Sequence, residues 1–324
     1  MQMEIKMNII SVEIEKLKGA NYEKYFFNQR RLFMKTKTKG FLLTAGVCLA
    51  MAFTLSCSSD DWLGDPSSSS NGGGEPSSSS GGGGDPSSSS NGGGNSIIYE
   101  DETYPTVVIG NQIWFARNLN YNAPGSKCYG EDGYVYDYDE ETDDYIERAL
   151  SDAEIQANCQ KYGRLYDWAT AMGIDADFNW DEWGGSDVKH KGICPTGWHL
   201  PSNDDWDELF LYVDSQNDGE GSGGSSYDSY TAGKYLKATD GWNWNDYEEI
   251  SGNGTDKYGF SALPGGGGYS DGSFGSAGVS GFWWSASETN SSNAYYRIMY
   301  YNFEYARWYD YDKSLLFSVR CVKD

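Results

Sequence analysis

The stretch "ICPTGWHLPSNDDWDEL", Ile193 to Leu209, sets a cysteine, two prolines, a histidine and a tryptophan ahead of an acidic run that holds a second tryptophan. Either His199 and the carboxylates behind it are catalytic, or the stretch is scaffold. The spacing favours scaffold. Trp206, Leu209, Phe210 and Val213 fall at i, i+3, i+4 and i+7, the stripe that one buried helix face requires. Ser202 and Asp205 stand three apart ahead of that stripe, where a hydroxyl caps the first turn and a carboxylate answers it. Asn203, Asp204, Asp205 and Asp207 occupy the positive end of the helix dipole. The acidic run therefore has a structural task. His199, between Trp198 and Leu200, is expected as a packed, hydrogen-bonded core residue.

Working outward, "SDAEIQANCQKYG" carries Ser151 and Glu154 in capping-box spacing, with Gly163 past the expected helix end. "RLYDWATAMG" places Leu165, Trp168, Ala169 and Met172 on one helical face, with Gly173 as the stop. Further upstream, "TVVIGNQIWFARNLNY" puts two apolar runs around Gly110-Asn111, a hairpin signal. The chain closes on "LLFSVRCVKD", where Phe317, Val319 and Cys321 share one face of a strand. Gly265 to Gly268 and "GYSDGSFGSAG" are expected as a mobile loop, without the GxxxxGK[ST] spacing of a phosphate cradle. Two to three helices, a hairpin and a terminal strand make an α+β domain over residues 97–324, with no second linker dividing it.

Ahead of that domain the chain reads as an address and a tether. Residues 34–56 have the plan of a signal peptide: Lys35, Lys37 and Lys39, then an apolar run from Phe41 to Leu55 too short for an ordinary membrane span. Ser56-Cys57 resembles the lipobox of bacterial lipoproteins, which makes Cys57 the expected lipidation site. With Met34 as start, residues 1–33 are untranslated or disordered. Residues 57–96 contain a ten-residue repeat, "DPSSSSNGGG", "EPSSSSGGGG", "DPSSSSNGGG", with no side chain that buries apolar surface, so disorder is expected. A flexible spacer of about 30 residues averages ~30 Å end to end.

The 324-residue chain carries a formal net charge of -24, which repels phosphate backbones and anionic lipid. No nucleic-acid partner is expected, and membrane contact only through the lipid. Its 26 tyrosines and 12 tryptophans suit wet contact surfaces, since these rings pair an apolar body with a polar tip. Four cysteines remain in the exported domain, Cys128, Cys159, Cys194 and Cys321. An even count in an exported chain favours disulfides, with three connectivities open. Cys128 with Cys159 and Cys194 with Cys321 is preferred, closing the acidic insertion and tying the opening stretch to the last strand. Structural zinc is disfavoured, because no Cys-x-x-Cys pair exists and His190 and His199 are the only histidines. No cofactor is expected, although the acidic loop from Glu131 to Asp144 offers oxygens for opportunistic calcium.

"GNQIWFARNLNY", "GRLYDWATAM", "GICPTGWHLPSNDDWDEL", "YGFSALPGGGG", "FWWSASE" and "FSVRCVKD" occur in that order. Together they resemble the Fibrobacter succinogenes major paralogous domain, a family of bacterial surface and secreted domains, over residues 103–324. The set is also similar to the wider C-type-lectin-like group. That resemblance implies a small twisted antiparallel sheet, two to three helices, long loops and chain ends in neighbouring strands. Calcium-binding lectins of that group use a Glu-Pro-Asn type triplet, which is lacking here, and Trp244-Asn245-Asp246 lies far upstream of Cys321. Related enzymes use reactive cysteines or clustered histidines, for which this chain has no good candidates.

The resemblance points to the late region "NAYYRIMYYNFEYARWYDYDKS", Asn293 to Ser314, as the ligand-contacting surface. Alternation puts Tyr295, Arg297, Met299 and Tyr301 on one face and Tyr296, Ile298 and Tyr300 on the other. Tyr295, Arg297, Tyr301, Arg307, Tyr309 and Tyr311 are the expected contact residues for a polysaccharide or a surface protein. The leading expectation is a lipid-anchored, non-catalytic binding module at the cell envelope, outer membrane included. One alternative is a secreted enzyme acting on polysaccharide through paired carboxylates, although nothing among 48 Asp and Glu residues singles out a pair. The other is a structural envelope protein without a soluble ligand.

Overall fold

The structure is a computed structural model that describes residues 96–139, 144–222, 226–245 and 249–324. Residues 1–33, the signal segment 34–56 with Cys57, and the repeats up to residue 95 lie outside the described residues.

The strands follow in chain order: β1 (Ser96–Tyr99), β2 (Glu102–Ile109), β3 (Gln112–Phe115), β4 (Tyr134–Asp139), β5 (Asp144–Arg148) and β6 (Trp198–His199). Next come β7 (Gly221–Ser222), β8 (Asp228–Ser229), β9 (Trp244–Asn245), β10 (Ile250–Ser251), β11 (Gly265–Gly268) and β12 (Ser273–Ala277). The last are β13 (Ser280–Glu288), β14 (Asn293–Tyr300), β15 (Ala306–Asp312) and β16 (Val322–Lys323). Four α-helices are described, α1 (Asp152–Tyr162), α2 (Trp168–Met172), α3 (Asn203–Ser215) and α4 (Ala232–Leu236). The class is α+β and mostly sheet.

One sheet has the order β1-β2-β3-β16-β6, so the closing strand sits beside the opening hairpin. That hairpin forms as expected: Ile109 pairs Gln112 across Gly110-Asn111, and Gly110 takes φ +62°, the left-handed backbone such a turn needs. The second sheet has nine strands, β5-β4-β12-β11-β13-β14-β15-β8-β7. It is mixed, because β11 pairs β13 and β12 pairs β4 in parallel. The five-stranded sheet is antiparallel at every pairing, as the resemblance implied, while the larger mixed sheet was not expected, and four α-helices stand among the described residues rather than two or three.

The opening stretch folds as its spacing predicts. Ser202 and Asp205 complete a capping box at the start of α3, and Trp206, Leu209, Phe210 and Val213 are all fully buried. Ser151 and Glu154 do the same for α1, which ends on Gly163. Helix α2 is shorter than its spacing predicts. Leu165 and Tyr166 are drawn into bridges with Lys127 and Phe317, so the helix starts only after Asp167, whose carboxylate caps Thr170 N.

The glycine run is not a loop. Gly265 to Gly268 form β11, buried throughout in the middle of the larger sheet. A Cβ on Gly266 would stand 2.2 Å from Gly275 O, and one on Gly268 would stand 2.9 Å from the Leu316 side chain. Glycine is required there by close approach of backbones rather than by motion. Its neighbour "GSFGSA" supplies β12, which corrects the expected mobile loop.

The terminal strand is also shorter than expected, being regular only at Val322–Lys323. Ahead of it the chain threads the core through single bridges, Leu316 to Gly268, Phe317 to Tyr166 and Ser318 to Trp283. Phe317, Val319 and Cys321 join one apolar cluster, while Ser318 and Arg320 are buried as well. Disulfides join Cys128 to Cys159 and Cys194 to Cys321, the preferred connectivity.

Candidate aromatic binding site

Cross-strand pairing fixes which late side chains share a face, because directly opposed residues point the same way. In the β14–β15 pair, Tyr296 faces Tyr309, Ile298 faces Arg307 and Ala294 faces Tyr311. Tyr295 faces Asp310, Arg297 faces Trp308 and Met299 faces Ala306. Five of the six expected contact residues therefore divide, Arg307, Tyr309 and Tyr311 on one face and Tyr295 and Arg297 on the other, while Tyr301 lies past the end of β14.

Arg297 is not a ligand contact. It is fully buried. Its Nη2 donates to Asp207 Oδ1 at 2.9 Å and its Nη1 to Asn203 Oδ1 at 3.1 Å, which ties β14 to the first turn of α3. Burial pulls this guanidinium down to about 10, and the Asp207 carboxylate opposes that shift. Tyr295 is half-buried, its ring 5.4 Å from Trp308. Tyr301 is half-buried past the strand end, its backbone N–H donating to Val279 O.

The other face presents a row. Tyr309 is 42% and Tyr311 40% exposed, and alternate strand residues stand ~7 Å apart. Burial works against the Arg307 charge, but the Tyr309 hydrogen bond together with the charges of Tyr309, Asp228 and Tyr305 outweighs it and raises the guanidinium above its ordinary value. Arg307 lies over the Tyr305 ring at 4.2 Å. Tyr305 in turn stacks on Phe303, with ring centroids 5.1 Å apart and planes within 8°. Tyr230 approaches Tyr305 at 5.9 Å.

Phe303, Tyr305 and Tyr230 were not among the expected contacts. Tyr305 has the parity of Arg307 and was legible on that ground. Phe303 depends on the turn, and Tyr230 arrives only because Ser229 pairs Ala306 across β8 and β15. The assembly is a shelf of exposed rings, Tyr230, Phe303, Tyr309 and Tyr311, joined by half-buried Tyr305 and Arg307. Such a surface stacks on planar or ring-shaped apolar faces and offers hydrogen bonds at its rim.

The remaining candidates are occupied. His199 is buried, its Nδ1 2.8 Å from Asp324 Oδ1 and its Nε2 3.4 Å from Asp205 Oδ2. Burial would lower this imidazole, but the carboxylates of Asp205 and Asp324 outweigh it and raise its pKa. Glu131 accepts from Cys128 N and Arg164 Nη1. Among the described residues no three His, Cys, Asp or Glu side chains are grouped to hold a metal ion; residues 140–143 of the acidic loop lie outside them. An open groove of about 540 Å³ lies beside α3, lined by Ile109, Asp204, Asp207, Glu208, Leu211 and Tyr212 among others. None of the expected contact residues lines it.

A family model described as Fibrobacter succinogenes major domain matches residues 107–323. No curated protein and no solved structure matches the chain.

Proposed function

The chain belongs to the Fibrobacter succinogenes major domain family, and from that premise we propose that it is a non-catalytic binding module that grips a neutral polysaccharide at the cell envelope. The observation that carries this reading is the row of half-buried Arg307 and exposed Tyr309 and Tyr311, continued by half-buried Tyr305 and exposed Phe303. Pyranose rings present flat C–H faces that stack on tyrosine. A net charge of -24 argues against an anionic polymer. A surface protein is the other ligand that such a tyrosine-rich shelf would suit.

The same proposal includes a C-type-lectin-like fold, supported by the neighbouring β3 and β16 and by the disulfide that joins Cys321 to the opening stretch. It also includes export, lipidation at Cys57 and a spacer over residues 57–96. The two disulfides support an oxidising compartment. Labelled palmitate should enter the wild type and not Cys57→Ala.

A polysaccharide-cleaving enzyme is the second reading. It is favoured by Asp228, whose carboxyl is raised by burial against the opposing pull of the Trp308 N–H, Arg307 and Arg297, with the Asp207 carboxylate adding a small further rise. One experiment separates the two. The purified protein is incubated with insoluble cellulose, xylan and mannan and with a soluble glycan panel, and retention and released sugar are read together. Retention without release supports the binding module. Release of sugar that is lost in Asp228→Asn overturns it, and silence on both counts favours a structural envelope protein.

A further inference from the structure

At one end the aromatic shelf runs into the turn after β14, residues 300–305, and a single buried lysine holds this turn from beneath. Lys237, directly after α4, is 3% exposed. Its Nζ donates to Gly252 O at 2.7 Å, Tyr300 O at 3.0 Å and Phe303 O at 3.0 Å. Three N–H donors thus meet three acceptors. Glu304, the carboxylate on the turn, pairs with Lys234 Nζ at 2.9 Å instead.

A buried ammonium without a counter-ion is costly, so its place here calls for a reason. The turn supplies it. Within the turn, Phe303 N reaches Tyr300 O only at 3.5 Å; Tyr300 is paired with Ser280 on β13, and Lys237 adds a hold on the carbonyls of both Tyr300 and Phe303. Helix α4 approaches at the same place: a Cβ on Gly233 would stand 2.3 Å from Tyr305 O, and Lys234 N donates to Glu304 O. Phe303, held in this way, is 45% exposed and stacks on Tyr305, which carries Arg307.

We propose that Lys237 is the positioning residue of the shelf: its three-way hold on Gly252, Tyr300 and Phe303 fixes the turn that presents Phe303 and Tyr305 to a ligand. This rests on the aromatic-shelf reading for its purpose, though not for its geometry. The hold depends on the ammonium, since a neutral amine has two donors for three carbonyls.

Burial pulls Lys237 down to about 8, and Glu304 opposes the shift. The other groups around it are engaged: Lys234 with Glu304, and Asp256 with both the N–H and hydroxyl of Ser261. The Trp242 ring lies 5.1 Å from the Nζ. Because the folded-state value lies below that of a free lysine, the unfolded chain holds the extra proton between about pH 8 and 10.5, so this group makes global stability rise with pH there. Local loosening of the turn over that range is therefore separable from unfolding.

The test uses the full-length protein, Lys237→Met and Lys237→Arg, with amide exchange of residues 299–306 read by mass spectrometry. Labelling times are scaled to intrinsic rates at pH 7 and pH 9. Exchange in Lys237→Met should quicken about tenfold in this segment and little elsewhere, and Lys237→Arg should restore it. The wild type should show the same local change on going to pH 9, and Lys237→Arg should not. Retention on the insoluble polysaccharides should follow the same order. Unchanged exchange in folded Lys237→Met overturns the proposal. If that variant does not fold, a wild-type turn that stays protected at a pH where NMR shows the Lys237 amine to be neutral overturns it equally. Exchange needs no ligand, so failure of the wild type to bind any polysaccharide sinks the shelf reading alone.

Discussion

Arg297 on β14 donates to Asp207 on α3 at 2.9 Å, with the guanidinium wholly out of solvent. Removing the acid leaves that charge stranded, and uncompensated buried charges cost about 3–5 kcal/mol. Asp207→Ala should lose about 3 kcal/mol in urea unfolding, and a loss under about 1 kcal/mol would show the pair to be dispensable.

The exposed phenols should behave oppositely. Tyr309→Ala and Tyr311→Ala should each weaken polysaccharide retention about tenfold, the scale of one stacking contact of about 1.4 kcal/mol. Their melting temperatures should stay near wild type, because each ring is about two-fifths exposed. Wild-type retention in the double variant would remove the shelf from the binding surface.

The two disulfides close loops of different length. Cys194 and Cys321 are 127 residues apart, and Cys128 and Cys159 are 31 apart. Chain entropy alone assigns them about 5 and about 4 kcal/mol respectively. Cys194→Ser with Cys321→Ser should therefore be the more damaging pair in thermal unfolding, and the reverse order would mean that local strain or packing decides.

His199 gives the fold a pH dependence of definite sign. Its folded-state pKa is raised against the pull of burial by Asp205 and Asp324, so its contribution is full below about pH 6.5 and is lost as pH rises through the folded value. Asp324→Asn should destabilise the protein more at pH 5.5 than at pH 8.5. Equal losses at the two values would mean that the contact is not ionic.

Gly266→Ala should fail to fold or lose several kcal/mol, since φ there is +65° and the added carbon would meet Gly275 O at 2.2 Å. Soluble protein with a wild-type melting temperature would refute the close packing of β11 against β12.

Local signals were legible where a few neighbouring residues settle the matter. The capping boxes at Ser151 and Ser202, the Gly110-Asn111 turn and the buried stripe of α3 all follow from short-range geometry. The parity of Tyr295 and Arg297 against Tyr296 was likewise correct. The site was only half legible. Parity places residues on a face without saying what covers that face, and α3 covers the one that carries Arg297.

By itself, then, the sequence determined the capped helices, the opening hairpin, a family identity and a cysteine set that pairs in the preferred way, because each rests on residues close in sequence or on a motif order. Only the tertiary structure decided that a run of four glycines is a buried strand, that Arg297 is sealed while Arg307 is half-exposed, and that Lys237 lies under the turn that carries Phe303. The physical reason is the same in each case. Burial and close approach are set by contacts between segments far apart in the chain, such as Gly266 with Gly275, Arg297 with Asp207, and Lys237 with Phe303. A local pattern does not encode which partner arrives.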